Sequence, residues 1–163
     1  MGTKGREIVG VNIKELLGLM NKAYADEWLA YYQYWVGAKV ASGRMRGIIA
    51  KELEEHAEEE LKHAAMLVER MVQLGGTPLL TPEAILKETN CGYDAPKDSN
   101  TKKLLAQNIK GEQCAITTYK KLLDFVKGKD DLTEKIVLEI LEDEVEHEED
   151  LQAMLEDMKT PAK

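Results

Sequence analysis

Residues 60–63 read Glu-Leu-Lys-His, and residues 144–147 read Glu-Val-Glu-His. In each stretch a histidine follows a glutamate by three residues, which places both side chains on one face of a helix. One such pair is a weak signal, because a Glu-rich helix often carries a solvated, salt-bridged face. Two pairs on facing helices instead predict a shared metal site. Carboxylate and imidazole ligands suit iron, manganese or zinc better than magnesium or calcium.

Apolar residues recur at helical spacing around both pairs and predict four long helices, at about 13–42, 45–74, 100–127 and 131–158. Asn12 followed by Glu15 is typical of a helix start, and Gly75-Gly76 of a helix end. A bundle whose second and third helices run parallel needs a long crossover between them, which residues 75–99 would supply. We therefore predict an all-α four-helix bundle as one domain over residues 1–163, without a fifth helix.

Composition narrows the class of function. The formal net charge is −8, and no basic patch or tail is visible, so nucleic-acid binding is not expected. No apolar run reaches the length of a membrane span, and the first ten residues lack the pattern of a signal peptide. The two cysteines are too few for a secreted disulfide scaffold. These features predict a cytoplasmic protein that neither enters a membrane nor binds nucleic acid.

Two further carboxylates are predicted to point into the bundle, one from each of the remaining long helices. Glu27 stands among apolar and aromatic residues, and Glu112 does so in the third helix. A buried carboxylate is costly unless it is paired or bound to a metal, although each glutamate alone could also extend to the surface. With both, the set becomes four carboxylates and two imidazoles, the pattern of di-iron helix bundles.

The metal-site segments resemble those of bacterioferritins and their relatives. The resemblance rests on residues 27–34 (Glu-Trp-Leu-Ala-Tyr-Tyr-Gln-Tyr), 60–64, 69–78, Glu112 and 144–147, and it extends over about residues 15–158. It implies a ferritin-like fold holding two iron ions per subunit, with manganese or zinc as substitutes. The implied bridging ligands are Glu60 and Glu144, the capping ligands His63 and His147, and the terminal ligands Glu27 and Glu112.

Two departures from the bacterioferritin pattern indicate which relatives the chain resembles more. Haem-binding bacterioferritins carry a methionine where this chain has Leu61, so no haem is expected, and no sequence remains for a fifth helix. The chain is more similar to the Dps-like ferritins called thioferritins, which carry a cysteine pair placed like Cys91 and Cys114. Resemblance to them implies a homo-oligomeric shell of 12 subunits. It also implies oxidation of Fe(II) by hydrogen peroxide or dioxygen and storage of the ferric product.

The cysteines can also be considered without the resemblance. Cys114 lies two residues after Glu112, so it points away from the bundle centre if Glu112 points inward. The crossover segment that carries Cys91 could lie there, but the residues alone favour two unrelated buried thiols. The resemblance shifts the expectation to a redox or structural pair.

Two further side chains near the predicted site each admit two interpretations. Tyr34 lies two turns after Glu27 and is interpreted either as a core aromatic or as an electron donor or hydrogen-bond partner near the metals. His56 lies two turns before His63 and is either part of a solvated acidic face or a satellite metal ligand.

Three alternatives to a storage ferroxidase remain. A rubrerythrin-like peroxidase would use the same ligands without storing iron, although the chain lacks the Cys-x-x-Cys motifs of a fused rubredoxin domain. A manganese catalase or monooxygenase subunit would differ in metal and reaction. A helical scaffold protein would bind no metal tightly.

Overall fold

The computed structural model describes residues 2–159, so Met1 and residues 160–163 lie outside the described residues. Four long helices form the bundle: α2 (Ile13–Val40), α3 (Arg46–Gln73), α5 (Thr101–Val126) and α6 (Asp131–Asp157). Their bounds differ from the predicted ones by two residues at most, at the end of α2. No helix follows α6 within residues 2–159.

Within residues 2–159, two short helices accompany the bundle. The helix α4 (Pro82–Glu88) lies in the connection between α3 and α5, where Thr81 caps it through the Ala84 amide. The helix α1 (Thr3–Glu7) precedes the bundle. The sequence pattern does not predict α1, because its five residues bury no side chain and carry no apolar periodicity.

Backbone contacts at both ends of the bundle set the chain direction. At one end, the Ser42 amide donates to the Ser99 carbonyl and the Thr101 amide to the Ser42 carbonyl, which places the end of α2 beside the start of α5. At the other end, Arg70 near the end of α3 binds Asp130, the N-cap of α6. The connection from α3 to α5 must therefore run the length of the bundle, and α3 and α5 run parallel. This confirms the predicted crossover.

The end of α3 requires glycine for two different reasons. Gly75 has a φ of 81°, a left-handed conformation in which a side chain would be strained. At Gly76, a Cβ would lie 2.4 Å from Leu17 Cδ2. A side chain at either position would strain the backbone or displace Leu17 where the chain leaves α3 close against α2.

The core consists of two apolar clusters separated along the helices by a polar layer. One cluster packs Leu16, Met20 and Leu67 against apolar side chains of α5 and α6. The other cluster is built around Leu53 and Leu105. All the predicted metal ligands lie in the layer between them. Within residues 2–159, no helix has the length and apolar character needed to cross a membrane.

Candidate metal centre

All four long helices contribute to the polar layer. The six residues predicted as metal ligands meet there, and none has more than 3 % of its surface exposed: Glu27 from α2, Glu60 and His63 from α3, Glu112 from α5, and Glu144 and His147 from α6. The i, i+3 spacing places each Glu and its His on one helix face. The polar layer is thus a closed donor set of four carboxylates and two imidazoles.

The donor atoms form two overlapping groups. One group contains Glu27, Glu60, His63 and Glu144, and the other contains Glu60, Glu112, Glu144 and His147. In each group the ligand atoms lie within 4.8 Å of one another. Because Glu60 and Glu144 belong to both groups, the geometry suits two neighbouring cations with two shared carboxylates.

Both imidazoles direct Nδ1 toward the centre. His63 Nδ1 lies 3.4 Å from Glu27 Oε2 and 3.3 Å from Glu144 Oε1, and His147 Nδ1 lies 3.5 Å from Glu60 Oε1. These two nitrogens, one oxygen each of Glu27 and Glu60, and both oxygens of Glu144 are buried without a hydrogen-bond partner. Buried polar atoms are normally hydrogen-bonded. The residues therefore fit a metal, because cations at the centre would give these atoms partners.

The outer nitrogens of the two imidazoles bind carboxylates of the opposite helix. His63 Nε2 lies 2.9 Å from Asp143 Oδ2, and His147 Nε2 lies 2.7 Å from Glu59 Oε2. An Nε2–H that donates to a carboxylate leaves Nδ1 free as a metal ligand and holds the ring in place. The sequence interpretation missed Asp143 and Glu59. Each directly precedes the glutamate of a Glu-x-x-His pair. An acidic residue at that position is the sequence signal that could have identified both.

A tyrosine hydroxyl donates a hydrogen bond to each of the two glutamates that belong to one group only. Tyr34 donates to Glu112 and Tyr119 to Glu27. Burial, followed by the charge of the neighbouring glutamate, raises the pKa of both tyrosines, so they remain donors. The sequence interpretation singled out Tyr34 but missed Tyr119. Tyr119 follows Glu112 by seven residues, as Tyr34 follows Glu27.

Burial and the neighbouring charges shift the pKa values of the carboxylates at the centre. Burial, and next the charge of Glu144, raises the pKa of both Glu27 and Glu112. Burial also acts to raise the pKa of Glu60, but the neighbouring imidazoles of His147 and His63 lower it below its ordinary value. The raised pKa of Glu27 and Glu112 favours their protonated forms, and a cation bound at the centre would compete with those protons.

A cavity of about 240 Å³ connects the centre with the crossover. Its lining includes Glu27 and Glu112 on the bundle side and Cys91 and Asp94 on the crossover side. Cys91 and Cys114 form a disulfide with a Cα–Cα distance of 5.8 Å, which attaches the crossover to α5 beside this cavity.

Asp26 on α2 holds the same crossover segment through hydrogen bonds. Its carboxylate accepts hydrogen bonds from the Cys91 amide at 2.9 Å, from the Asn90 amide at 2.8 Å and from the Thr89 hydroxyl. Asp26 is buried and directly precedes Glu27. The crossover segment that lines the cavity is therefore held both by the disulfide and by a buried carboxylate.

Fold and donor set together define a ferritin-like protein. Residues 17–160 match the Ferritin-like domain family, and the chain belongs to it. Over 145 residues it is 32 % identical to the "DNA protection during starvation protein" of Pyrococcus furiosus, covering 87 % of this chain and 77 % of that protein.

Solved structures place the chain more narrowly. It superposes with a TM-score of 0.95 and 42 % identity on a dodecameric thioferritin, the bacterioferritin-related protein from Bacteroides fragilis, covering 97 % of this chain and 95 % of that one. The archaeal Dps homologue from Halobacterium salinarum shares the fold, with a TM-score of 0.83 and 19 % identity over 91 % of this chain and 88 % of that one. The predicted resemblance to Dps-like ferritins is confirmed.

Proposed function

We propose that this protein is a ferroxidase that oxidises Fe(II) at the centre between its four helices and stores the ferric product. One observation carries the proposal: two overlapping groups of buried carboxylates and imidazoles have inward-facing atoms without hydrogen-bond partners. Iron is here the substrate. Imidazole and carboxylate together suit Fe(II), and manganese or zinc would compete for the same ligands.

The ligand roles follow from the overlap of the groups. Glu60 and Glu144 would bridge two ions, His63 and His147 would each complete one group, and Glu27 and Glu112 would be terminal ligands. Four carboxylates supply up to four negative charges, which stabilise two ions as their charge increases on oxidation. The two tyrosines and the two outer carboxylates hold the terminal glutamates and the imidazoles in place.

The electron balance explains why two ions are held together. Each Fe(II) gives one electron, so hydrogen peroxide gains two electrons and two protons, its O–O bond breaks, and two water molecules form. Dioxygen as oxidant would instead gain two electrons and two protons and leave as hydrogen peroxide. Paired electron delivery avoids release of hydroxyl radical, which a single ferrous ion would produce from peroxide.

We further propose that the storage form is a shell of 12 copies of this chain. The dodecameric relative from Bacteroides fragilis supports this, as does an apolar groove of about 530 Å³ between α2 and the crossover. Side chains in and beside the groove are substantially exposed, including Tyr32 (49 %), Trp35 (42 %) and Leu80 (79 %). Exposed apolar patches of this kind are typical of surfaces covered by another chain.

The test is anaerobic loading of metal-free protein with Fe(II), followed by peroxide, with the particle mass measured by light scattering. We expect two ions per chain to be oxidised rapidly and many more to be retained by a particle of about twelve chains. Tight binding of two ions without further retention would contradict storage and favour a rubrerythrin-like peroxidase. Oxygen release from peroxide with manganese bound would favour a catalase. No stoichiometric binding would leave only a helical scaffold.

A further inference from the structure

A second group of potential ligands lies outside the centre, in an acidic depression between α3 and α6. The depression has a volume of about 380 Å³, and its lining consists of seven acidic side chains and two histidines. Within it, ligand atoms of Glu52, His56 and Asp150 lie within 4.8 Å of one another. None of these three residues belongs to the two groups at the centre.

An acidic cluster alone would be an ordinary solvated surface, but His56 makes this one different. Its side chain is 3 % exposed, and its Nδ1 is buried without a hydrogen-bond partner. Its Nε2 lies 3.6 Å from Glu52 Oε1, beyond hydrogen-bond distance. The buried Nδ1 without a partner is costly, and Nε2, which faces Glu52, makes no hydrogen bond that a cation would have to displace.

Packing fixes the His56 ring in this position. The ring stacks on that of His147 with centroids 4.1 Å apart, and the edge of Tyr34 contacts it at a centroid distance of 5.3 Å. The imidazole is thus held between the centre and the depression with few alternative rotamers, and a preorganised ligand loses little entropy on binding. Glu52 lies one helical turn before His56 on α3, and Asp150 faces both from α6.

We propose that Glu52, His56 and Asp150 form a third cation site, separate from the centre and adjacent to its His147 side. One imidazole and two carboxylates select a transition-metal cation such as Fe(II), Mn(II) or Zn(II) over magnesium or calcium. Three protein ligands leave further positions for water, as in open metal sites. The carboxylates around the site lower the cost of bringing a cation to it. The inference does not depend on the proposed ferroxidase reaction.

Zinc is the appropriate probe because it binds this ligand set without being oxidised. Metal-free protein is titrated with zinc chloride by calorimetry, and anomalous diffraction at the zinc edge locates the ions in soaked crystals. The test variant Asp150→Ala removes a ligand at the rim without touching the core. The matched control Glu55→Ala removes the same charge from the same depression, but Glu55 pairs with Lys51 at 2.6 Å and lies outside the triplet.

For the parent protein and for Glu55→Ala we expect three zinc ions per chain, with one anomalous peak between Glu52, His56 and Asp150. For Asp150→Ala we expect two ions and no such peak. His56→Gln should lose the same peak. An equal zinc count in both alanine variants, or no peak at the triplet in the parent, would overturn the inference. If the peak at the triplet appears while the centre stays empty, the inference stands and the proposed ferroxidase fails.

Discussion

Two Glu–Tyr pairs at the centre, one on α2 and one on α5, have the same spacing and bind each other. Glu27 and Tyr34 on α2 correspond to Glu112 and Tyr119 on α5, with the same separation of seven residues. The tyrosine of each pair binds the glutamate of the other pair. Each half of the bundle thus orients a terminal carboxylate of the other half, and the loss of one tyrosine would affect the glutamate on the partner helix.

Glu60 is the residue whose loss should affect the reaction most. In Glu60→Ala one of the two shared carboxylates is missing, so we expect the initial rate of Fe(II) oxidation to fall by about 100-fold or more, since even outer partners of metal ligands contribute roughly 10–100-fold. Stopped-flow absorbance of the ferric product measures the rate, and circular dichroism should show an unchanged helix content. Glu69→Ala, an exposed site on the same helix, is the control. A Glu60→Ala rate equal to that control would contradict the assignment.

Asp143 tests whether the outer carboxylates orient the imidazoles. In Asp143→Asn the His63 Nε2–H loses its charged acceptor, so we expect metal affinity at that group to fall by about tenfold with the ligands themselves intact. Calorimetry with Co(II) under anaerobic conditions measures the change. The exposed neighbour Glu142 provides the control as Glu142→Gln. Equal affinities in the two variants would mean that Asp143 has no positioning role.

At the scale of the helices, the apolar periodicity of the sequence predicted both where the long helices lie and which faces they bury. The bounds of the long helices, the crossover and the inward faces of Glu27 and Glu112 all follow from apolar spacing, because a bundle must bury one face of each helix. Trp35 shows where this reasoning ends. It continues the apolar pattern of α2, yet 42 % of it is exposed, and it stacks on Tyr32 at the surface. Spacing identifies an apolar face but not whether its own chain or another one covers it.

Contacts between helices were also beyond prediction, because they depend on the rotation of one helix against another. The Glu59–His147 and Asp143–His63 pairs each cross from α3 to α6, and the partners are 88 and 80 residues apart in sequence. No local pattern encodes such a pairing. The same applies to Arg70, whose buried guanidinium reaches both Asp130 and Thr133 across the end of the bundle.

The Arg70–Asp130 pair joins the end of α3 to the start of α6 and should be a major contribution to stability. In Asp130→Asn the buried guanidinium loses its charge partner, and we expect a loss of about 3 kcal/mol, although Asn still caps the helix well. The exposed neighbour Asp131 serves as control, since Asp131→Asn should change stability by less than about 0.5 kcal/mol. Thermal unfolding at neutral pH measures both.

The pH dependence of this pair has a definite sign. Burial acts to raise the pKa of Asp130, but hydrogen bonds from Thr133 and Arg70 lower it below its ordinary value of 3.8. A carboxyl with a lowered pKa stabilises the folded state fully above that ordinary value and loses this contribution as pH falls through the folded pKa. The difference in unfolding temperature between parent and Asp130→Asn should therefore narrow below about pH 4. A difference that is constant with pH would mean that the ionised carboxylate is not what stabilises the junction.

At the scale of the whole molecule, acidic and apolar surfaces occupy different faces. The acidic depression lies between α3 and α6, whereas the apolar groove lies between α2 and the crossover. A chain with a formal net charge of −8 would repel its copies if acidic surfaces met. Association through the apolar face would avoid this repulsion and would leave the α3–α6 face open to cations.

Trp35 tests whether the apolar face joins subunits. A carboxylate at this position would be buried without a partner on association, at a cost of several kcal/mol, while in the single chain it would remain in water. We therefore expect Trp35→Asp to shift the protein to smaller assemblies in light scattering with unchanged helix content. Trp35→Phe keeps an apolar ring and should retain the parent mass. If Trp35→Asp also assembled to the parent mass, the subunits would have to meet through another face. The exposure of Tyr32 and Leu80 would then need a different explanation.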